Sequence, residues 1–361
     1  MGVLALLAAG VGIGFALDGD DTADTTADSP AVDTNVAANE DDADEGAEVE
    51  MPPPVVDEDA IADGEVEPVS AVAAAVAPSV VRIDTQTGLG SGIVYDADGL
   101  IVTNAHVVNG ARTVNVRLAD GTRVSGTVVG SAPAVDVAVV RIDDPDIELT
   151  PAVFAPSDSV RLGQGAVAIG SPFGLDQSVT AGVISSVSQV VENVNVADGT
   201  PTIVEMLQTD APINPGNSGG ALADLQGRIV GMNTAIRTDG TVEGNLGVGF
   251  AIPSDTVLLL AERITSGGSL ESGFLGVNIA DPTTGRPGAL VTDINPASPA
   301  DAGGLEQGDL VVALDGDPVL GRSELAAKVR LTAPGEEITV TVERDGAEID
   351  LVVTLGALGS G

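Results

Sequence analysis

Three side chains of this sequence have types and contexts that together could perform nucleophilic catalysis: His106, Asp136 and Ser218. His106, in L-I-V-T-N-A-H-V-V, is the only histidine. Taken alone it would read as a core or surface histidine, and with no second His or Cys available it has no common metal site to join. Asp136 stands in A-V-D-V-A-V-V-R-I. A carboxylate set in such an apolar run is costly to desolvate unless it is paired or hydrogen-bonded. It either sits at a strand start facing water or accepts a hydrogen bond from one imidazole nitrogen of His106. Ser218 lies in Q-T-D-A-P-I-N-P-G-N-S-G-G-A-L. A serine hydroxyl is a poor nucleophile until a neighbouring base takes its proton. Gly216 permits a sharp turn ahead of it, so that the N–H groups of Gly216 and Ser218 would point at one spot, where negative charge could be stabilised. Without the other two residues, N-S-G-G is an ordinary turn. The absence of cysteine excludes thiolate chemistry and disulfides, and leaves the compartment open.

The elements that must position these residues read as β-rich. Aromatics are 2% of the 361 residues, and 46 glycines accompany many short Val/Ile runs. The first run, S-V-V-R-I, begins at Ser79. G-I-V-Y and L-I-V-T flank D-A-D-G, while T-V-N-V-R-L and R-V-S-G-T-V-V flank A-D-G-T; both read as hairpins. This spacing predicts a sandwich or barrel from Ser79 to about Pro253, without βαβ units. Helices are predicted over 70–77 with Ser70 as cap, over 254–267 ended by Gly267, and over 324–331 with Ser323 as N-cap. Residues 3–17 are apolar and uncharged, and are read as a membrane anchor in preference to an export signal or a buried helix. Residues 18–69 hold 19 Asp and Glu and no Lys or Arg, and are read as a disordered acidic spacer. The formal charge of −40 argues against a nucleic-acid partner, which needs clustered basic side chains.

The chain order His, Asp, Ser on an all-β body is that of chymotrypsin, and differs from subtilisin and the α/β-hydrolases. T-N-A-H-V-V, D-V-A-V-V, G-S-P-F-G-L, I-N-P-G-N-S-G-G and G-V-G-F-A-I-P, in this order, resemble the HtrA (Deg) family of serine proteases. The resemblance spans residues 70–357. It implies a mostly β protein: a chymotrypsin-like double β-barrel protease domain (70–267) followed by one PDZ domain (268–361), β with short helices. It also implies His106 as general base, Asp136 as its orienter and Ser218 as nucleophile. Gly216, Asn217 and Ser218 would form the oxyanion loop, and Ile213 would line the S1 pocket. With Ala211, Pro212 and Ile213 there and no acid, cleavage after small or medium aliphatic residues is expected. S-G-F-L-G-V-N-I resembles the PDZ loop and strand that hold a polypeptide C-terminus, here Phe274, Leu275, Gly276 and Val277, with apolar residues of the 324–331 helix opposite.

The expected activity is therefore extracytoplasmic endoproteolysis of unfolded or damaged polypeptides, as protein quality control, without metal or organic cofactor. The resemblance implies a homotrimer. The competing expectations are a chaperone-like binding protein with latent proteolysis, and a regulatory protease cutting one membrane partner. Two departures stand out. T-Q-T-G-L-G is too short for the loop with which some relatives build cages. Residues 186–201, which match a PDZ-sensing loop, carry no arginine.

Overall fold

The computed structural model describes residues 55–86, 88–144, 146–171, 177–192, 203–234 and 247–357. The apolar segment 3–17, the spacer up to residue 54 and residues 193–201 of the sensing loop lie outside them. Among the described residues, no helix is long and apolar enough to cross a membrane.

The Val/Ile runs close two six-stranded antiparallel barrels, and most of the strands are buried along nearly their whole length because the barrels also pack on their surroundings. In the first, β1 (Val80–Asp84), β2 (Leu89–Val94), β3 (Leu100–Thr103), β4 (Thr113–Arg117), β5 (Arg123–Ala132) and β6 (Val137–Ile142) pair in the order β1-β2-β3-β6-β5-β4. In the second, β7 (Gly165–Gly170), β8 (Ser178–Glu192), β9 (Ile203–Thr209), β10 (Ala221–Ala223), β11 (Ile229–Thr234) and β12 (Gly249–Pro253) pair in the order β10-β11-β12-β9-β8-β7. Both predicted hairpins form. In the first, the Asp96 carboxylate accepts from the N–H groups of Asp98 and Leu100, and Gly99 takes a positive φ of 98°.

Between the barrels runs one apolar cluster containing Ile93, Val102 and Val139 of the first and Ile169, Met232 and Ile252 of the second. Two helices close it. α1 (Glu58–Ala62) precedes them, then α2 (Pro68–Val76) buries Val72 and Val76 in the cluster, each contributing about 1.5–3 kcal/mol. α3 (Ala105–Val108) is a single turn after β3, and α4 (Ser254–Ser266) buries Val257, Leu260 and Ile264.

The helix ends differ from the sequence reading. α2 begins at Pro68, whose fixed φ suits the first helical position, so Ser70 is inside the helix and caps nothing. α1 lies in the stretch read as unfolded spacer. Its N-cap is Asp57, whose carboxylate accepts from Asp59 and Ala60, and Val56 beside it is buried against the core. α4 is capped from another segment: the Asp255 N–H donates to the Ser157 hydroxyl at 3.0 Å, and the Ser157 N–H donates to the Asp255 carboxylate at 2.7 Å. It does end at Gly267, φ 72°.

The C-terminal domain is a six-stranded sheet. β14 (Val277–Ala280), β15 (Ala289–Ile294), β16 (Leu310–Leu314), β18 (Glu337–Arg344) and β19 (Ala347–Thr354) pair in that order, and β17 (Asp317–Pro318) pairs with β16. β13 (Gly273–Phe274) pairs separately with β20 (Gly356–Ala357). α5 (Pro299–Ala302) is short, and α6 (Arg322–Leu331) buries Leu325 and Val329 in this core. Ser323 is the second residue of α6 rather than its cap; the Asp281 carboxylate accepts the Arg322 N–H at 2.9 Å instead. The Arg263 guanidinium of α4 donates to the Leu331 carbonyl at 2.6 Å, tying α6 to the barrels.

Asp309, 1% exposed, accepts from Arg344 through both oxygens at 2.7 and 2.8 Å and from the Glu306 N–H at 2.8 Å. Burial pushes its carboxyl up, but the Arg344 hydrogen bonds, the Glu306 N–H and the guanidinium charge together hold it below the usual carboxylate range. A group lowered in the folded state stabilises above its unfolded value of about 3.9 and loses that contribution as pH falls through the folded value. Asp309→Asn is expected to cost about 1.5–3 kcal/mol at pH 7 in denaturant unfolding. The gap from wild type should close as pH falls below about 4; a pH-independent gap would contradict this role for the carboxylate.

Candidate active site

Asp136 is placed by the way β5 meets β6. A single 3₁₀ turn, Pro133–Val135, ends with Asp136 in the left-handed region at φ 60° and ψ 39°. Asp tolerates this conformation better than most residues, and such strain gathers at functional positions. The turn buries the side chain to 1% exposure, so the alternative of a water-facing strand start is not what forms. Its carboxylate meets three donors. The His106 ring nitrogen Nδ1 lies 2.8 Å from Oδ2 and 3.0 Å from Oδ1, and the His106 main-chain N–H donates to Oδ1 at 3.0 Å. The Thr234 hydroxyl donates to Oδ2 at 3.1 Å. The Asp136 carbonyl accepts from the Asn104 amide at 3.0 Å and from the Ala105 N–H at 3.2 Å, which fixes the start of α3.

A carboxylate facing Nδ1 receives the ring proton there, and Nε2 is left as an acceptor. With its side chain 30% exposed, His106 opens toward solvent on the side away from Asp136. This is the arrangement of a base whose tautomer and direction are fixed from behind.

Ser218 is almost buried and sits in a turn of tight backbone contacts. The Asn217 N–H donates to the Asn214 carbonyl and the Gly220 N–H to the Asn217 carbonyl, both at 2.9 Å. Gly216, read from the sequence as permitting a sharp turn, has φ 99°. Gly219 is at φ 81°, and a Cβ on it would lie 2.2 Å from the Ser91 carbonyl oxygen.

Ser91, on β2 and fully buried, holds this turn from the opposite barrel. Its hydroxyl donates to the Gly216 carbonyl at 2.7 Å and accepts from the Ser171 N–H at 2.8 Å. Its N–H donates to the Ser218 carbonyl at 2.8 Å, and its carbonyl accepts from the Thr103 hydroxyl at 2.7 Å. Gly90 beside it is equally constrained: a Cβ there would lie 2.5 Å from Val107 of α3 and 3.1 Å from the Ser218 carbonyl. The segments carrying His106 and Ser218 are thus neighbours across β2. Ser91, Asn104 and Thr234 are residues the sequence reading missed. Asn104 stood two places from His106, whereas nothing local marked Thr234, which is 98 positions from Asp136.

Ile213 is buried in the second barrel's own cluster, against Gly249, on which a Cβ would lie 2.6 Å from its side chain. Of the predicted PDZ loop, Phe274 is in β13, Leu275 is buried in the C-terminal core, Gly276 has φ 86° and Val277 opens β14. The Leu275 carbonyl accepts from the Ala300 N–H and the Gly276 carbonyl from the Asn295 N–H, both at 2.9 Å. In a trans peptide the Gly276 N–H then points away from the fold. The C-terminus of α6 lies alongside, its Val329 carbonyl 2.5 Å from where a Gly273 Cβ would be.

Residues 90–232 match the trypsin-like peptidase domain family and residues 273–355 the PDZ domain family. The chain is 37% identical over 280 residues to a probable periplasmic serine protease do/HhoA-like of Haemophilus influenzae, covering 75% of this chain and 58% of the relative. It is 35% identical over 278 residues to the periplasmic pH-dependent serine endoprotease DegQ of Escherichia coli, covering 74% and 59%. It thus spans less than two thirds of the length of these relatives. Among solved structures, the HtrA-type protease AlgW with tripeptide aligns at a TM-score of 0.64 and 34% identity, over 81% of this chain and 98% of that one.

Replacing Ser91 by Ala leaves the Gly216 carbonyl and the Ser171 N–H without their shared partner. A stability loss of about 1–3 kcal/mol in denaturant unfolding is expected. An unchanged midpoint would show that the hydroxyl does not hold the turn.

Proposed function

The chain belongs to the HtrA family of trypsin-like serine proteases with one C-terminal PDZ domain, and on that footing we propose that it is a serine endopeptidase acting on polypeptides outside the cytoplasm. Ser218 Oγ attacks the peptide carbonyl and His106 Nε2 takes its proton. The imidazolium so formed is stabilised by Asp136, and His106 then gives the proton to the leaving amine; water, activated the same way, releases the acyl group. The oxyanion is received by the N–H groups of Gly216 and Ser218, the Asn217 N–H being turned inward to Asn214. Ile213 forms the apolar S1 floor that selects aliphatic side chains. The single observation that carries this reading is the buried Asp136 carboxylate, 2.8 Å from His106 Nδ1 and bonded also by Thr234.

The substrates proposed are unfolded or damaged chains, with free C-termini engaged by the Phe274–Val277 loop and α6. Support comes from the inward-turned carbonyls of Leu275 and Gly276, which leave N–H groups for a terminal carboxylate. Assembly as a homotrimer and attachment through residues 3–17 complete the proposal. Sedimentation at the mass of one protomer would remove the first. Full release of the intact chain from membranes at high salt would remove the second. Equal binding of an apolar peptide and its C-terminally amidated form would remove the carboxylate site.

Wild type is expected to label with a fluorophosphonate probe and to digest casein, and Ser218→Ala to do neither. Asp136→Asn should keep the fold while lowering kcat by about 10⁴-fold, because the imidazole then presents the wrong nitrogen. Equal labelling of wild type and Ser218→Ala would overturn the assignment.

A further inference from the structure

The first barrel carries three arginines in one cross-strand row. Arg82 of β1 lies opposite Arg117 of β4, and Arg117 opposite Arg123 of β5. Like charges directly opposite one another destabilise an antiparallel pair, so the row is unfavourable to the fold unless something neutralises it. The chain has ample means, with 54 acidic against 14 basic side chains. Elsewhere it often uses them: Arg228 pairs with Asp224, Arg286 with Glu343, Lys328 with Asp317 and Arg344 with Asp309, while the isolated Arg112, Arg141 and Arg161 are left unpaired among the described residues.

In the row, only Arg82 is served, by Asp84 at 2.6 Å. Among the described residues, the guanidinium groups of Arg117 and Arg123 have neither a hydrogen-bond nor an ion-pair partner. The flanking carboxylates are turned to other work. Asp120 accepts from the N–H and hydroxyl of Thr122 at 2.8 and 2.9 Å, and Asp143 accepts from the Thr127 hydroxyl at 2.8 Å. The three guanidinium groups line an open concavity of about 610 Å³ together with Asp84, Asn115 and Ser125. Three cations against one carboxylate leave a formal charge of +2, in a protein of net charge −40.

We propose that this concavity is a binding site for a phosphoryl-bearing anion, either a soluble oligophosphate or the headgroup of an anionic phospholipid. The planar forks of Arg117 and Arg123 bind phosphate oxygens in pairs, and the Asn115 amide and Ser125 hydroxyl add donors beside them. Charge density favours this class over an acidic peptide: a phosphoryl group brings up to two charges and three acceptor oxygens to one point, where a carboxylate brings one charge and two oxygens. None of the lining residues belongs to the site around His106, so the inference is independent of the proposed proteolysis.

Titration calorimetry of the full chain with tripolyphosphate at low ionic strength tests it. Saturable binding is expected, weakened by salt and reduced about tenfold or more by Arg117→Gln or Arg123→Gln, while Arg161→Gln has no effect. Because each substitution relieves the row's repulsion, the denaturant midpoint should hold or rise, which separates lost binding from lost folding. Flotation that is stronger with phosphatidylglycerol than with phosphatidylcholine vesicles, by an excess that disappears in the Arg117→Gln/Arg123→Gln variant, would assign the headgroup as source, since attachment through residues 3–17 does not depend on headgroup charge; no such excess alongside tripolyphosphate binding would assign the soluble anion. Absence of both signals, binding unchanged in the double variant, or tighter binding of a polyglutamate peptide than of tripolyphosphate would overturn the site.

Discussion

The arrangement around the candidate active site depends on one buried carboxylate. An ionised group removed from water without partners costs several kcal/mol, and Asp136 avoids that cost only if donors arrive from both barrels. His106 reaches it from the turn after β3, and Thr234 reaches it from β11 of the second barrel. Docking the barrels and aiming the imidazole are therefore one requirement rather than two. Ser91 makes the reciprocal connection: it stands on the first barrel and bonds both Gly216 and Ser218 of the second. Between these polar ties lies the shared cluster of Val, Ile and Met side chains, which brings the barrels together without fixing their register as directed hydrogen bonds do.

Much of this was legible in the sequence because it is local. The hairpins announced themselves through Asp and Gly turns between alternating apolar runs, and α4 ends at the glycine that its sequence marks. The serine-containing turn was legible for the same reason, since the chain does turn at Gly216, with a positive φ that glycine accepts freely. Bonds made across the fold carried no such mark. Thr234 and Ser91 meet their partners at separations of 98 and 125 residues, and a threonine in a strand or a serine between glycines looks like any other. One helix cap failed from the same cause: Asp281 meets the start of α6 from 41 residues away, so Ser323, the nearest serine in sequence, was the wrong choice. Helix α1 escaped notice because six acidic residues from Asp57 to Glu67 outweigh Val56 and Ile61 in composition, although it is those two that pack on the core.

The acidity of the chain shapes the rest of the surface. With so many carboxylates, most described cations are drawn into pairs, as Arg344 is in the C-terminal domain. Arg112, Arg141 and Arg161 also stand without an ion pair among the described residues, so what sets Arg117 and Arg123 apart is that they face each other and Arg82 across adjacent strands. The C-terminal domain also meets the barrels through an arginine, because Arg263 at the end of α4 supplies a donor to the last carbonyl of α6. The helix proposed to line the peptide groove is thereby held to the domain proposed to cut.

Because His106 is the only histidine, its ring nitrogens can be observed without ambiguity by nitrogen-15 NMR of histidine-labelled protein. At a pH where the ring is neutral, this account predicts a proton on Nδ1 with a strongly downfield resonance, an unprotonated Nε2, and loss of that signature in Asp136→Asn. A proton on Nε2 in the wild type, or a spectrum indifferent to the substitution, would contradict the claim that Asp136 orients the base.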